Sequence, residues 1–121
     1  MAIVDITTWN DADFYRGFVY QTTDTVPVPI DLTGNTMRMG IRHRASDVTE
    51  EILLTTENGG LMITDAVNGK FTVWITQAQL LELPLGGYEH SLIRIDPSGL
   101  QRRIWSGSLV NNAGASRGTN T

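Results

Sequence analysis

The segment spanning residues 58–88 constrains the fold more than any other part of the sequence. Gly59-Gly60 and Asn68-Gly69 are positions where a left-handed backbone costs little, so we predict a turn at each. Apolar side chains alternate with polar ones around the second turn, at Leu61, Ile63, Phe71, Val73 and Ile75. Alternation with a period of two is typical of strands with one buried face, so this part of the chain predicts a β-hairpin.

A helix start follows the hairpin directly. Thr76 and Gln79 have the spacing of a capping box, in which each side chain satisfies an orphan amide of the first helical turn. Two leucines three residues apart follow on one helical face, and Pro84 cannot continue a helix. We therefore predict one short helix near residues 77–83, placed between two strands.

The rest of the chain is predicted to form strands and turns. Turn signals recur at intervals of roughly 8 to 12 residues, the spacing typical of β-sandwiches and barrels. Strands are predicted at residues 14–20, 36–43, 51–55, 88–95 and 100–110, and an extended edge segment with two prolines at residues 26–30. The predicted fold class is all-β: an immunoglobulin-like antiparallel β-sandwich over residues 1–112, with a small closed barrel as the alternative. Residues 113–121 form a polar C-terminal tail, which we expect to be flexible unless a partner holds it.

Composition narrows the possible functions. The 121 residues carry a formal net charge of −4 and include no cysteine. An acidic chain lacks the concentrated positive field that phosphate contacts need, so no nucleic-acid partner is expected. No apolar run is long enough to span a bilayer, and residues 1–8 lack the features of a secretory signal, so no membrane partner is expected. The lack of cysteine excludes disulfides and thiolate zinc sites and fits assembly in a reducing cytoplasm.

The polar residues are not arranged for catalysis. His43 and His90 have no second ligating residue at a suitable strand spacing, and His90, which shares the parity of Tyr88, is expected to be semi-buried and hydrogen-bonded. Asp11 and Asp13 could meet a cation, but they lack the ligand set that calcium requires, so we expect a solvated loop. No serine combines a sharp turn with a histidine partner. The sequence therefore predicts no catalytic residue, no metal site and no cofactor.

Surplus apolar and basic residues indicate a binding surface instead. The residues predicted to form a protein interface are Arg38, Arg42, Leu53, Trp74, Ile93 and Ile95. Ile93 has the opposite parity to Leu92, so either a bulge shifts the register or both faces of that sheet are covered. Trp74 belongs either to an outer contact patch or to the space under the short helix. The two arginines form either a solvated row that discourages edge pairing or a contact for an acidic partner.

Several short sequence motifs occur in this chain in one order and spacing. They are Met1-Ala-Ile-Val-Asp-Ile6, Trp9, Asp13-Phe-Tyr-Arg16, Ile30-Asp-Leu-Thr-Gly34, Met37-Arg-Met-Gly-Ile-Arg42, Leu54-Thr-Thr-Glu-Asn-Gly-Gly60, Asn68-Gly-Lys-Phe71, Leu83-Pro-Leu-Gly-Gly-Tyr88 and Ile95-Asp-Pro-Ser-Gly99. In this order they resemble short phage and prophage structural proteins, similar to the immunoglobulin-like N-terminal domain of baseplate upper proteins of tailed phages. The resemblance implies a non-enzymatic virion protein, assembled in the host cytoplasm. It would dock on tail, baseplate, neck or capsid proteins as an adaptor, anchor or decoration module, in several symmetry-related copies.

A carbohydrate-binding sandwich is the alternative function. In that case Trp9, Trp74 or Trp105 would stack on sugar rings at a host surface. Such stacking requires exposed aromatic rings aligned across one face, so the exposure of the three tryptophans distinguishes the two functions.

Overall fold

A computed structural model describes residues 2–22 and 25–116 of the chain. The protein is mostly β, with one short helix and two sheets. In chain order the elements are β1 (Ala2–Ile3), β2 (Ile6–Trp9), β3 (Phe14–Val19), β4 (Thr36–Arg42), β5 (Ile52–Thr55), β6 (Leu61–Asp65), β7 (Lys70–Ile75), α1 (Gln77–Glu82), β8 (Gly86–Ile95) and β9 (Gln101–Asn112). Each strand predicted from alternation is confirmed, with its ends shifted by at most two residues.

The larger sheet is a mixed half-barrel in which β1 and β2 share one edge of β9, followed by β8, β4 and β5. Both N-terminal strands run parallel to β9, whereas all other strand pairs are antiparallel. The prediction of a wholly antiparallel sandwich is therefore wrong at this edge. The close approach depends on Gly107, because a Cβ atom there would lie 1.9 Å from the carbonyl oxygen of Val4.

The smaller sheet contains β3, β7 and β6, in that order and all antiparallel. Its β6–β7 pair confirms the predicted hairpin, and Gly59 and Gly69 have the positive φ angles of 83° and 67° that their turns require. The predicted capping box is also confirmed: the Thr76 hydroxyl accepts from the Gln79 amide, and the Gln79 side chain accepts from the Thr76 amide. The segment predicted as a strand, a short helix and a strand therefore folds as its sequence pattern indicates.

The hydrophobic core lies between the two sheets. Its members include the alternating residues of β4 and β7, namely Met37, Met39, Ile41, Phe71, Val73 and Ile75. Trp105 of β9 closes the middle of the core, with its ring centroid 4.7 Å from that of Phe18 and 5.6 Å from that of Phe71. The two sheets therefore pack against each other through the inward faces that the alternation predicts.

Two other predicted segments have different outcomes. Residues 26–30 form no named strand and contribute one isolated bridge, between Gln21 and Pro29. At the start of the predicted tail, the buried backbone amide of Gly114 donates to Asn10 Oδ1 at 2.9 Å, and Ser116 donates to Asp11 at 3.4 Å. Residues 117–121 of the predicted tail lie outside the described residues.

Candidate functional site

The residues predicted to form one interface lie on two separate surfaces. Trp74 lies on the outer face of the smaller sheet, paired with Tyr15. The others lie on the outer face of the larger sheet: Arg38, Arg42, Leu53, Ile93 and Ile95. The structure therefore offers two candidate surfaces, one on each sheet, and brings Trp74 together with none of the other predicted interface residues.

An open groove of about 670 Å³ crosses the strands on the outer face of the larger sheet. Its lining includes a central row of small residues, in which Gly40, Ser91 and Ser106 are neighbours across β4, β8 and β9. One flanking row carries Arg38, Ile93 and Arg103, and the other carries Arg42, Glu89 and Ser108. Small side chains between longer flanking ones explain why the face is concave here.

The predicted arginines of this groove already have partners within the protein. Glu50 lies between them, with one carboxylate oxygen 3.1 Å from Arg38 Nη2 and the other 3.6 Å from Arg42 Nη2. Arg42 also donates to the carbonyl groups of Asp47 and Val48, at 2.8 and 2.6 Å, and so holds the loop before β5. An acidic partner would therefore compete with Glu50 for the two guanidinium groups, which lowers the energy that these arginines could contribute to a contact.

A β-bulge explains the parity conflict predicted around Ile93. Leu92 pairs with Trp105 and Ile93 pairs with Arg103, so Ile104 is an extra residue in β9. The bulge lies in β9 rather than in β8, which keeps its alternation and leaves Ile93 partly buried on the outer face. The extra residue lets both Ile104 and Trp105 be buried.

The smaller sheet exposes a group of large apolar side chains on its outer face. Tyr15 and Trp74 are cross-strand neighbours with ring centroids 6.3 Å apart, in an edge-to-face arrangement. They are 66 % and 38 % exposed, Met62 beside them is 51 % exposed, and Val19 at the far end of β3 is 50 % exposed. We call these four residues the apolar face. Large apolar groups that share one exposed sheet face are typical of interaction surfaces.

Asp13 fixes the tryptophan of the apolar face. Its carboxylate accepts a hydrogen bond from Trp74 Nε1 at 2.9 Å and another from the backbone amide of Gln77, at the start of α1, at 2.7 Å. These two bonds lower the pKa of Asp13, the bond from Trp74 contributing most. Trp74 therefore belongs to the outer patch rather than to the space under the helix, and its ring is oriented before any partner binds.

The other candidate residues are placed as follows. Trp105 is 4 % exposed and belongs to the core, so it cannot stack on a sugar ring, whereas Trp9 and Trp74 are 52 % and 38 % exposed. His90 is hydrogen-bonded, as predicted, with Nε2 3.1 Å from the carbonyl oxygen of Ser108, but it is buried rather than semi-buried, and burial lowers its pKa. Within residues 2–22 and 25–116, no group of three or more His, Cys, Asp or Glu side chains could hold a metal ion. In the same ranges, no helix is long and apolar enough to cross a membrane.

No family model and no curated protein matches this chain. The sequence identified Trp74 but gave no sign of Tyr15 or Met62, and Asp13, expected in a solvated loop, instead holds Trp74 and the first turn of α1. Tyr15 and Met62 become neighbours of Trp74 only through the register of β3 and β6 with β7. The sequence does not specify that register.

Proposed function

We propose that this protein is a non-enzymatic structural component of a tailed-phage particle and that it docks on a neighbouring virion protein through the apolar face. The observation that carries the proposal is the joint exposure of Tyr15, Met62 and Trp74 on one side of the smaller sheet. Aromatic and methionine side chains are enriched at the cores of protein interfaces, where charged side chains are depleted. The assignment to a phage particle rests on the sequence resemblance, which covers almost the whole chain.

Assembly in the host cytoplasm and several symmetry-related copies belong to the same proposal, with no cofactor, nucleic acid or membrane involved. The neighbour would be a tail, baseplate, neck or capsid protein. The fixed orientation of Trp74 supports a docking role, because Asp13 already holds its ring in place and this side chain has little freedom to lose on binding.

The strand connectivity supports an immunoglobulin-like assignment as part of this proposal. With β1 and β2 as strand A, and β3 to β9 as B, C, C′, D, E, F and G, the smaller sheet is B-E-D and the larger is A-G-F-C-C′. The separation of B, E and D from C, F and G is that of the immunoglobulin sandwich. The chain departs from antibody domains in having no inter-sheet disulfide and in placing its core tryptophan, Trp105, on the last strand.

Mass spectrometry of purified particles tests whether the protein is a virion component, and its absence from them would contradict the proposal. The docking surface is tested with Tyr15→Ser combined with Met62→Ser. The matched control combines Val67→Ser with Leu100→Ser, whose parent side chains are equally exposed, at 66 % and 51 %, but lie outside the apolar face. Interface truncations cost on the order of 1–2 kcal/mol each, so incorporation of the first variant should fall at least about tenfold, while that of the control is unchanged.

Equal incorporation of the two double variants would refute docking through the apolar face even if the protein proves to be a virion component. A glycan array probed with the same proteins distinguishes docking on a virion protein from carbohydrate binding, the alternative function. Glycan binding that is lost in the Tyr15→Ser, Met62→Ser variant would support a carbohydrate-binding role in place of docking on a virion protein.

A further inference from the structure

Strand β3 has one hydrogen-bonding edge that no other described strand covers. Tyr20 follows β3 and Gly69 precedes β7, and the Tyr20 amide donates to the Gly69 carbonyl. Because hydrogen-bonding direction alternates along an antiparallel strand, the even-numbered residues of β3 bond to β7. The N–H and C=O groups of Tyr15, Gly17 and Val19 consequently point away from the sheet. Within the described ranges, these groups form no backbone hydrogen bond with another part of the chain.

Other free edges of the two sheets carry the features that normally prevent pairing. β5 has only 4 residues, β6 contains a register shift before Asp65, and the N-terminal edge is interrupted between Ile3 and Ile6. β3 has 6 residues in regular register and contains no proline, and Arg16 is its only charged residue. Natural proteins seldom leave a regular apolar edge of this length open, because it is a template for pairing with another chain.

We propose that two copies of this protein join through β3, antiparallel across a twofold axis at Gly17, so that their smaller sheets form one continuous sheet. In this register Gly17 faces Gly17 of the second copy, and Tyr15 faces Val19 of the second copy. All the outward N–H and C=O groups of the three residues are then used, giving about six hydrogen bonds across the axis. The proposal deepens the proposed function by naming a second copy as one neighbour. It uses the edge of β3, where Tyr15 and Val19 of the apolar face pair across the axis, and leaves Met62 and Trp74 for another neighbour.

Side-chain chemistry selects this register over its neighbours. Arg16 would face Phe18 of the second copy, a favourable arrangement because its guanidinium already lies 5.8 Å from the ring centroid of Phe14. An axis at Arg16 would oppose two like charges and form only about four hydrogen bonds, and an axis at Phe18 would also form only about four. The axis at Gly17 also creates two aromatic–β-branched pairs on the outer face, each of a kind that stabilises sheets.

The surroundings of the edge leave room for a second strand. An open groove of about 520 Å³ runs along the start of β3, lined by Trp9 and by residues on either side of the β2–β3 turn. Trp9 is 52 % exposed there. The second copy's strand would enter this groove and cover Trp9, and the outer faces of the two smaller sheets would become continuous.

A single cysteine at the axis tests the pairing directly, because the chain has none of its own. The Gly17→Cys variant should fold, since a Cβ atom at this position meets only Phe71 O, at 3.9 Å. The Cα atoms of facing residues in a hydrogen-bonded antiparallel pair lie about 5.5 Å apart, within the Cα–Cα range of disulfides. The variant should therefore form a disulfide-linked dimer on mild oxidation. Cross-linking should be at least roughly tenfold faster than for Arg16→Cys, which reports the shifted register, and for the exposed but remote Val67→Cys.

Sedimentation equilibrium gives an independent readout. The wild-type protein and Gly17→Ala should approach twice the monomer mass as concentration rises, whereas Gly17→Lys, which sets two ammonium groups opposite each other, should remain monomeric. A monomeric wild-type protein, or Gly17→Cys cross-linking no faster than Val67→Cys, would overturn the pairing, and faster cross-linking of Arg16→Cys would overturn its register. Met62→Ser separates the two proposals, because Met62 belongs to the apolar face but lies on β6, at the far edge of the sheet from β3. That variant should dimerise like the wild-type protein, while its incorporation into particles falls.

Discussion

Replacement of Asn111 by alanine tests how the short helix is held against the two sheets. Asn111 is 1 % exposed, and its Nδ2 donates to the carbonyl groups of Leu80 and Leu83, each at 3.0 Å. Its Oδ1 accepts a hydrogen bond from the Thr8 hydroxyl, also at 3.0 Å. The last carbonyls of a helix have no partner within it, so in a helix of 6 residues such a side chain has a large share of the capping.

The expected cost follows from the groups left without partners. Asn111→Ala removes the donor for two buried carbonyls, and each unsatisfied buried group costs about 1–3 kcal/mol. The Thr8 hydroxyl keeps a longer bond to Val110 O, at 3.4 Å, so we assign it no separate cost. We expect a total loss of about 2–6 kcal/mol, a large fraction of the stability of a typical domain.

Urea unfolding followed by tryptophan fluorescence measures this loss. With a urea dependence of about 1–3 kcal/mol per molar, the midpoint should fall by at least about 0.7 M. Asn112→Ala is the control, because its side chain is only partly buried and makes one long bond, of 3.4 Å, to Thr8 O. Asn111→Asp should be at least as destabilised as Asn111→Ala, because it turns acceptors toward the two carbonyls. A loss below about 1 kcal/mol for Asn111→Ala, at unchanged urea dependence, would refute the reasoning.

Three further predictions concern single positions. Gly107→Ala would place its Cβ 1.9 Å from Val4 O, so stability should fall by about 1–3 kcal/mol and hydrogen exchange should speed up in residues 2–9; unchanged exchange would contradict the packing of β1 and β2 on β9. Burial lowers the pKa of His90 below its ordinary 6.5, so the unfolded chain takes up the proton first. Its contribution is fully present above that pH and is lost as the pH falls toward the folded value. Urea titrations between about pH 7 and pH 5 should show a shallower decline in His90→Gln, and an equal decline would contradict this. Asp13→Ala should increase the motion of the Trp74 indole, measured as a lower NMR order parameter for its Nε1–H, with Asp31→Ala as the control. An equally rigid indole in Asp13→Ala would be evidence against the role of Asp13.

The sequence predicts those parts of the fold that local periodicity determines. Residues 36–42 alternate without interruption, and Thr76 and Gln79 carry a helix start in their spacing alone, so both were predictable. The strands β1 and β2 were not, because they pair with β9 more than 100 residues away and are separated by Val4 and Asp5, which belong to neither strand. Parallel pairing of the two chain ends leaves no signal in a local window.

The candidate surface was predictable only in part, for a related reason. Trp74 has the opposite parity to core residues of its own strand, and that is visible in the sequence. Tyr15 lies in a strand with aromatic residues on both faces, so its side could not be assigned without the register to β7. Arg38 was placed on an outer face correctly, but its pairing with Glu50 depends on the path of a loop that periodicity does not describe.

Hydroxyl-radical footprinting of the apolar face, in the isolated protein and in intact particles, tests the central claim most directly. Tyr15, Met62 and Trp74 are exposed in the isolated protein, and all three side chains are of types that react readily with the radical. Docking through the apolar face should remove most of their reactivity in the particle, while the similarly exposed Leu100 keeps its own. Unchanged reactivity of the three residues in particles that contain the protein would contradict docking through this face.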